Sequence, residues 1–223
     1  MAKNLLVLLP SLSYRVDTTY TMFKYNLEKS GYSFDIEITN EPCGPILAIN
    51  NLYNKINEDY DYVFTASDKM TVSGPWYDSM KLLDTWNKQY KICGFKEMQG
   101  SFRPDFEYGS CYMISTQTIK EKMKGYVFNP IYHCQYADCD LGLQLYFSGE
   151  HIEYFKKGEV RMITVPEKEL SQAKAKYFRL DGMCFNYLWA NKVGEVPLFD
   201  KSLYADKHLL ELRNQMLLKN IWS

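Results

Sequence analysis

The chain is predicted to be an α/β protein with a mainly parallel sheet flanked by helices and a helical C-terminal extension. Three observations predict this. Strand-like and helix-like segments alternate through the first third. Two acidic stations stand where an apolar element meets a loop or a helix start, Tyr60-Asp61-Tyr62-Val63-Phe64-Thr65-Ala66-Ser67-Asp68 and Ala137-Asp138-Cys139-Asp140-Leu141. From residue 167 onward the reading is mostly helical, ending in a Leu-rich stretch from Leu203 to Ile221. The expected layout is one domain over residues 1–166 with an extension, 167–223, packed on it.

Residues 4–9 are a short apolar run and read as the first buried strand; the run is far too short to cross a bilayer. Val16 to Lys29 reads as a helix, because Tyr20, Phe23 and Leu27 recur at helical spacing and Gly31 follows. Residues 33–38 alternate apolar and polar, the period of a strand. A loop with Pro42, Gly44 and Pro45 leads to a helix from Ile46 to Ile56. A strand at 61–66 follows, then a helix from Pro75 to Trp86 with proline in its first turn. Residues 90–114 read as irregular chain around Gly94, Gly100, Pro104 and Gly109, closing on a strand at 110–114. Helices at Thr116–Lys124 and Asp138–Phe147 and strands near 151–155 and 159–165 complete the core.

Apolar residues make up 46% and charged residues 24% of the 223, the balance of a soluble globular protein able to bury a full core. The net charge of −1 gives no overall attraction to nucleic acid. The six cysteines show no CxxC spacing and read as reduced thiols; His133, Cys134, Asp138 and Cys139 lie close in sequence but match no usual zinc spacing. No leader or membrane span is evident, and the expected location is the cytoplasm.

Asp68 is expected at the C-terminal edge of a buried strand, where open α/β sheets bind ligands. Asp138 and Asp140 are expected in the first turn of a helix, where the dipole favours ionised carboxylates. Each has an ordinary explanation taken alone, since Asp is common at strand ends, turns and helix starts. Their order, separation and flanking residues give them meaning as a pair.

That pair, with its surroundings, resembles the GT-A (Rossmann-like) fold of nucleotide-sugar glycosyltransferases, and specifically glycosyltransferase family 2. The likeness covers about residues 4–165. Leu8-Leu9-Pro10-Ser11-Leu12-Ser13-Tyr14 stands where the family has a Pro-x-x-Tyr-like turn beneath the nucleotide. Asp35 or Glu37 stands for the acid that touches the base, and Ala48-Ile49-Asn50 for an Ala-x-Asn helix. Ala66-Ser67-Asp68 is a reduced DxD motif, followed by Gly74-Pro75-Trp76-Tyr77, similar to a Pro-Gly-Trp segment of some relatives. Tyr108-Gly109-Ser110 precedes a strand as the family's glycine does, and Ala137-Asp138-Cys139-Asp140-Leu141 stands for its Glu-Asp-x-Asp-Leu helix, with Ala137 in place of the glutamate. The histidine that often follows the later strand is missing from Val160-Arg161-Met162-Ile163, where Arg161 or a nearby lysine could neutralise the diphosphate instead.

The resemblance implies an inverting transfer of a sugar from a nucleotide-diphosphate donor, a UDP-sugar being favoured, to an acceptor hydroxyl. Asp138 would be the catalytic base. Pro10, Ser11, Tyr14, Glu37, Asn50, Ser67 and Asp68 would bind the donor, and Asp68 would hold a divalent ion, Mn²⁺ or Mg²⁺. Gly109, Trp76 and Asp140 would lie on the acceptor side. Rival readings are a nucleotidyltransferase, which would usually show a Gly-rich loop where Pro10-Ser11-Leu12-Ser13 stands, and a catalytically degenerate nucleotide-sugar binding module. A saccharide is the default acceptor. Lys96 and Arg103, with Lys168, Lys174 and Lys176-Tyr177-Phe178-Arg179, raise a DNA acceptor carrying a hydroxymethylated base, against the plainer reading of a solvated element end with two packed aromatics.

Overall fold

The computed structural model describes residues 4–11, 16–39, 43–56, 59–68, 70–95, 111–162 and 172–189. Its first half winds as the alternation predicts: β1 (Asn4–Pro10), α1 (Val16–Glu28), β2 (Ser33–Thr39), α2 (Pro45–Lys55) and β3 (Tyr62–Thr65). Then come β4 (Met70–Ser73), a 3₁₀ turn (Trp76–Asp78), α3 (Ser79–Thr85), β5 (Ile92–Phe95), β6 (Cys111–Ser115) and α4 (Thr116–Glu121). The rest comprises α5 (Ala137–Phe147), β7 (Glu153–Tyr154), β8 (Glu159–Met162) and α6 (Gln172–Trp189).

The main sheet has the order β2-β1-β3-β6-β5-β7. β2, β1 and β3 are parallel, β6 runs against both β3 and β5, and β7 is parallel to β5. Five strands therefore share one direction and β6 alone opposes them. β4 and β8 form a separate antiparallel pair.

β1 is buried on both faces, and its alternation sorts two cores. Leu6 and Leu8 join Val63, Tyr112 and Ile114 under α2, α4, α5 and α6. Leu5, Val7 and Leu9 join Phe64, Cys111 and Met113 under α1, the 3₁₀ turn and α3. The result is the helix–sheet–helix layering expected when central strands read as continuous apolar runs. Tyr177, Leu180, Cys184, Leu188 and Trp189 of α6 are buried, and the last four belong to the first of these cores.

Three expectations need correction. The helix expected over Pro75–Trp86 is a 3₁₀ turn followed by a shorter α-helix, because Pro75, with ψ 53°, stands outside the helical region and begins no α-turn. β4 was not expected at all; its four residues are too few to show a period. β5 was hidden by Gly94, which reads as a breaker. The glycine is there because β7 packs against it: a Cβ would lie 2.7 Å from Ile152 Cγ2 and 3.2 Å from the Tyr154 ring. The Leu-rich stretch 203–221 lies outside the described residues.

Candidate functional site

The shared strand direction sets the carboxyl ends of β1, β2 and β3 side by side, and four of the expected donor residues collect there. Pro10 ends β1, and Ser11 N–H donates to Thr39 O at the end of β2 at 2.8 Å. Beside them Ala66 N–H donates to Leu8 O at 3.3 Å, fixing the exit of β3. Ser67 and Asp68 form the turn into β4, closed by Met70 N–H on Ser67 O at 3.0 Å. Asp68 therefore stands three residues past the end of its strand, and it is buried. Glu37 lies two residues from the end of the edge strand β2, in register with Leu8, and is exposed. Asp35, the alternative to it, accepts the Tyr60 hydroxyl at 2.7 Å.

The second station lies on the same side of the sheet. α2 leaves the carboxyl end of β2, and Ile46 N–H in its first turn donates to His133 O at 3.0 Å. Gly44, at φ 91°, lets this contact close: a Cβ there would sit 2.4 Å from His133 O. The segment before α5 is thus drawn to the mouth of β2. Tyr136 then takes a left-handed conformation, φ 67°, and turns the chain into α5.

Asp138 and Asp140 fall in the first turn of α5 as expected, and desolvation there raises the proton affinity of both carboxyls. Asp138 Oδ1 accepts the N–H of Cys139 at 2.9 Å, and desolvation nevertheless raises its carboxyl above the usual range. Asp140 is enclosed, and burial pushes its carboxyl up to about 6 despite four donors. Those donors are Trp189 Nε1 at 2.8 Å, Tyr132 OH at 3.2 Å, Asn129 Nδ2 at 3.3 Å and the Gln144 amide. The dipole at a helix start contributes about 0.3–2 kcal/mol, less than the desolvation of an enclosed carboxylate such as Asp140.

Two further residues have structural contacts of their own. Asn50 is buried and braces the segment before α5, bonding Val127 and Phe128. Trp76 has no exposed surface and packs on Phe64, ring centroids 4.3 Å apart, in the core on the face opposite α5. Tyr14, Gly109, Lys96, Arg103 and Lys168 lie outside the described residues, as do the side chains of Arg161, Lys174 and Lys176. His133, Cys134, Asp138 and Cys139 do not gather as a zinc site: the described residues hold no group of three or more His, Cys, Asp or Glu placed to bind a metal.

Sequence reading missed Asp181, a fully buried carboxylate of α6. It accepts the backbone N–H groups of His133 at 3.1 Å, Cys134 at 2.7 Å and Gln135 at 2.8 Å. An aspartate inside an otherwise apolar helical face, Leu180-Asp181-Gly182, is the one signal that could have found it.

No family model and no curated protein matches the sequence. Solved structures do match the fold. A mutant of Drosophila β1,4-galactosyltransferase 7, in complex with manganese, UDP-Gal and xylobiose, superposes with a TM-score of 0.56 at 14% identity, covering 75% of this chain and 74% of that one. The catalytic domain of the same Drosophila enzyme with xylobiose gives 0.54 at 14% identity, over 75% and 73%. A protein of Bacillus anthracis described as a glucose-1-phosphate thymidylyltransferase reaches only 0.41 at 11% identity, over 72% and 89%, and carries no argument. At such identities the likeness speaks for architecture alone, and the architecture is that of the GT-A glycosyltransferases.

Proposed function

We propose that the protein is an inverting glycosyltransferase that moves a sugar from a nucleotide-diphosphate donor, a UDP-sugar first, to an acceptor hydroxyl, with a saccharide as the acceptor class. The observation that carries this reading is the meeting of Pro10, Ser11, Ser67 and Asp68 at one sheet edge, with the Asp138 segment drawn to the same side through His133 and Ile46. The galactosyltransferase with the same architecture binds manganese, UDP-Gal and xylobiose, which supports a donor and an acceptor of those chemical classes.

Each residue's part follows from its chemistry. Asp138 is the base that takes the acceptor proton as the hydroxyl oxygen attacks the anomeric carbon, the nucleoside diphosphate departing from the opposite side. A carboxylate with a raised proton affinity is a stronger base than an exposed one, and burial supplies that here. Pro10 and Ser11 line the nucleotide, Glu37 meets the base or ribose, and Ser67 faces the phosphates. Tyr14 is assigned to the nucleotide by the family resemblance alone. Asp68 is a hard oxygen ligand at the phosphate end, so it suits Mn²⁺ or Mg²⁺, ions that commonly take one or two protein carboxylates and complete their shell with substrate phosphates and water. Such an ion, when bound, would offset the charge gathering on the leaving diphosphate.

The test begins with a thermal-shift screen of nucleoside diphosphates and nucleotide sugars, with and without Mn²⁺, since a ligand of the native state raises the melting temperature by mass action. UDP-galactose with xylobiose is the first transfer assay. The reading expects a metal-dependent shift with one nucleotide class, and loss of transfer in Asp138→Asn with donor binding kept. A chain that no nucleotide stabilises, or an Asp138→Asn variant of full activity, overturns it.

A further inference from the structure

The helical extension holds the acidic station at two points. From α6, the Asp181 carboxylate reaches the turn before α5 and takes three consecutive amides, His133, Cys134 and Gln135, at 2.7–3.1 Å. From the last residue of the same helix, Trp189 Nε1 donates to Asp140 at 2.8 Å. Asp138 lies between the two grips, three residues after Gln135 and two before Asp140. Tyr136, between them, is covered by α6 as well: its ring stacks on Phe185 at 5.2 Å and meets Phe178 at 5.7 Å.

Successive backbone N–H groups converging on one anion form a nest, a device that orders irregular chain around a negative charge. Here the acceptor is a carboxyl group of the protein itself. The three bonds converge on a carboxylate with no exposed surface, the one from His133 buried and those from Cys134 and Gln135 part-buried. Four consecutive residues, His133 to Tyr136, thus take their arrangement from a helix about fifty positions downstream rather than from their own sequence.

We infer that Asp181 and Trp189 are positioning residues for Asp138, so that α6 is part of the catalytic unit rather than an appendage to it. The inference rests on the transferase reading for the role of Asp138. It does not rest on that reading for the hold itself. α6 sets where the Asp138 carboxyl stands when the acceptor hydroxyl arrives, while the donor residues at the ends of β1 and β3 belong to a separate part of the fold and are untouched by it.

The experiment uses the full chain and the variants Asp181→Asn and Trp189→Phe. Asparagine offers one acceptor oxygen to three donors and turns its own NH₂ toward the others; phenylalanine keeps a six-membered aromatic ring and removes the pyrrole part with its N–H donor. Three quantities are read: amide hydrogen exchange across residues 133–140, affinity for UDP with Mn²⁺, and kcat in the transfer assay. In Asp181→Asn, exchange at residues 133–136 should quicken and kcat should fall, each by about tenfold or more, with UDP affinity within about twofold of wild type. A role in overall stability alone would lower donor affinity and kcat together. Unchanged exchange, an unchanged kcat, or parallel loss of both functions overturns the inference. If Asp181→Asn does not fold, Trp189→Phe decides by the same split between kcat and UDP affinity. A wild-type chain with no transfer overturns the transferase reading, and the exchange rates then decide by themselves whether α6 holds the turn.

Discussion

Asn50 and Phe128 are joined in both directions: the Asn50 amide donates to Phe128 O at 2.9 Å, and Asn50 Oδ1 accepts the N–H of Phe128 at 3.1 Å and of Val127 at 3.0 Å. One buried side chain on α2 therefore satisfies three backbone groups of a segment with no regular structure of its own. Replacing it by alanine leaves all three without partners away from water. Asn50→Ala should cost about 2–4 kcal/mol of stability, seen as an earlier urea midpoint at unchanged slope. Asn50→Asp should cost a similar amount, because the Phe128 carbonyl loses its donor. A variant within about half a kcal/mol of wild type would show that the brace is dispensable.

The glycines at positive φ separate strain from contact. Gly44 has φ 91° and a Cβ would meet His133 O at 2.4 Å, whereas Gly31 has φ 75° and nothing within 4 Å of the same position. Gly31→Ala should cost about 1 kcal/mol from backbone strain alone. Gly44→Ala carries the clash in addition and breaks the approach of His133 to Ile46, so its loss should exceed that of Gly31→Ala by at least about 2 kcal/mol. Paired denaturant curves check this, and equal losses would reject the close contact.

Much of the architecture could be read from the chain, since β1, β2, α1 and α2 are strongly patterned over seven to thirteen residues and β3 is a continuous apolar run. The strand ends carrying Pro10 and Asp68 followed from the same patterns. What escaped had no local cause. β5 contains Gly94 for the sake of Ile152 and Tyr154, far along the sequence, and a breaker residue is the wrong local signal for a strand. Asn50 was matched to a motif by its neighbours in sequence, while its partners are 77 and 78 residues away. At the acidic station the first-turn position signalled only what favours the charge, while the burial of Asp140 that opposes it depends on packing the sequence does not display. Asp181 stood among apolar neighbours, but its amide partners lie 46 to 48 positions away and leave no mark on the sequence around it.

Asp68 offers a separable test of the metal. If its carboxylate carries the ion, Asp68→Ala should abolish the difference that Mn²⁺ makes to donor affinity while leaving metal-free nucleotide binding near its wild-type value. Titration of UDP with and without Mn²⁺ checks it. An unchanged Mn²⁺ response would move the metal to another ligand.

Asp140 gives stability a definite pH dependence. Burial raises its carboxyl to about 6 in the folded chain, against about 3.9 in an unfolded one. Between those values the folded state holds more protons than the unfolded state, so stability falls as pH rises. The contribution is complete below the unfolded value and is lost as pH passes the folded one, by about 3 kcal/mol across the interval. Asp138 is raised by burial too and adds in the same direction. Asp140→Asn isolates one from the other. The variant sacrifices part of the acceptor capacity offered to Trp189, Tyr132, Asn129 and Gln144, so it should be less stable near pH 4, where the wild type gains most from its proton. The gap between wild type and variant should then narrow as pH is raised from about 4 to about 7, because only the wild type loses the Asp140 contribution. Urea unfolding at a series of pH values measures that gap. A constant difference would mean that Asp140 does not titrate in this interval, and that its four donors hold it ionised after all.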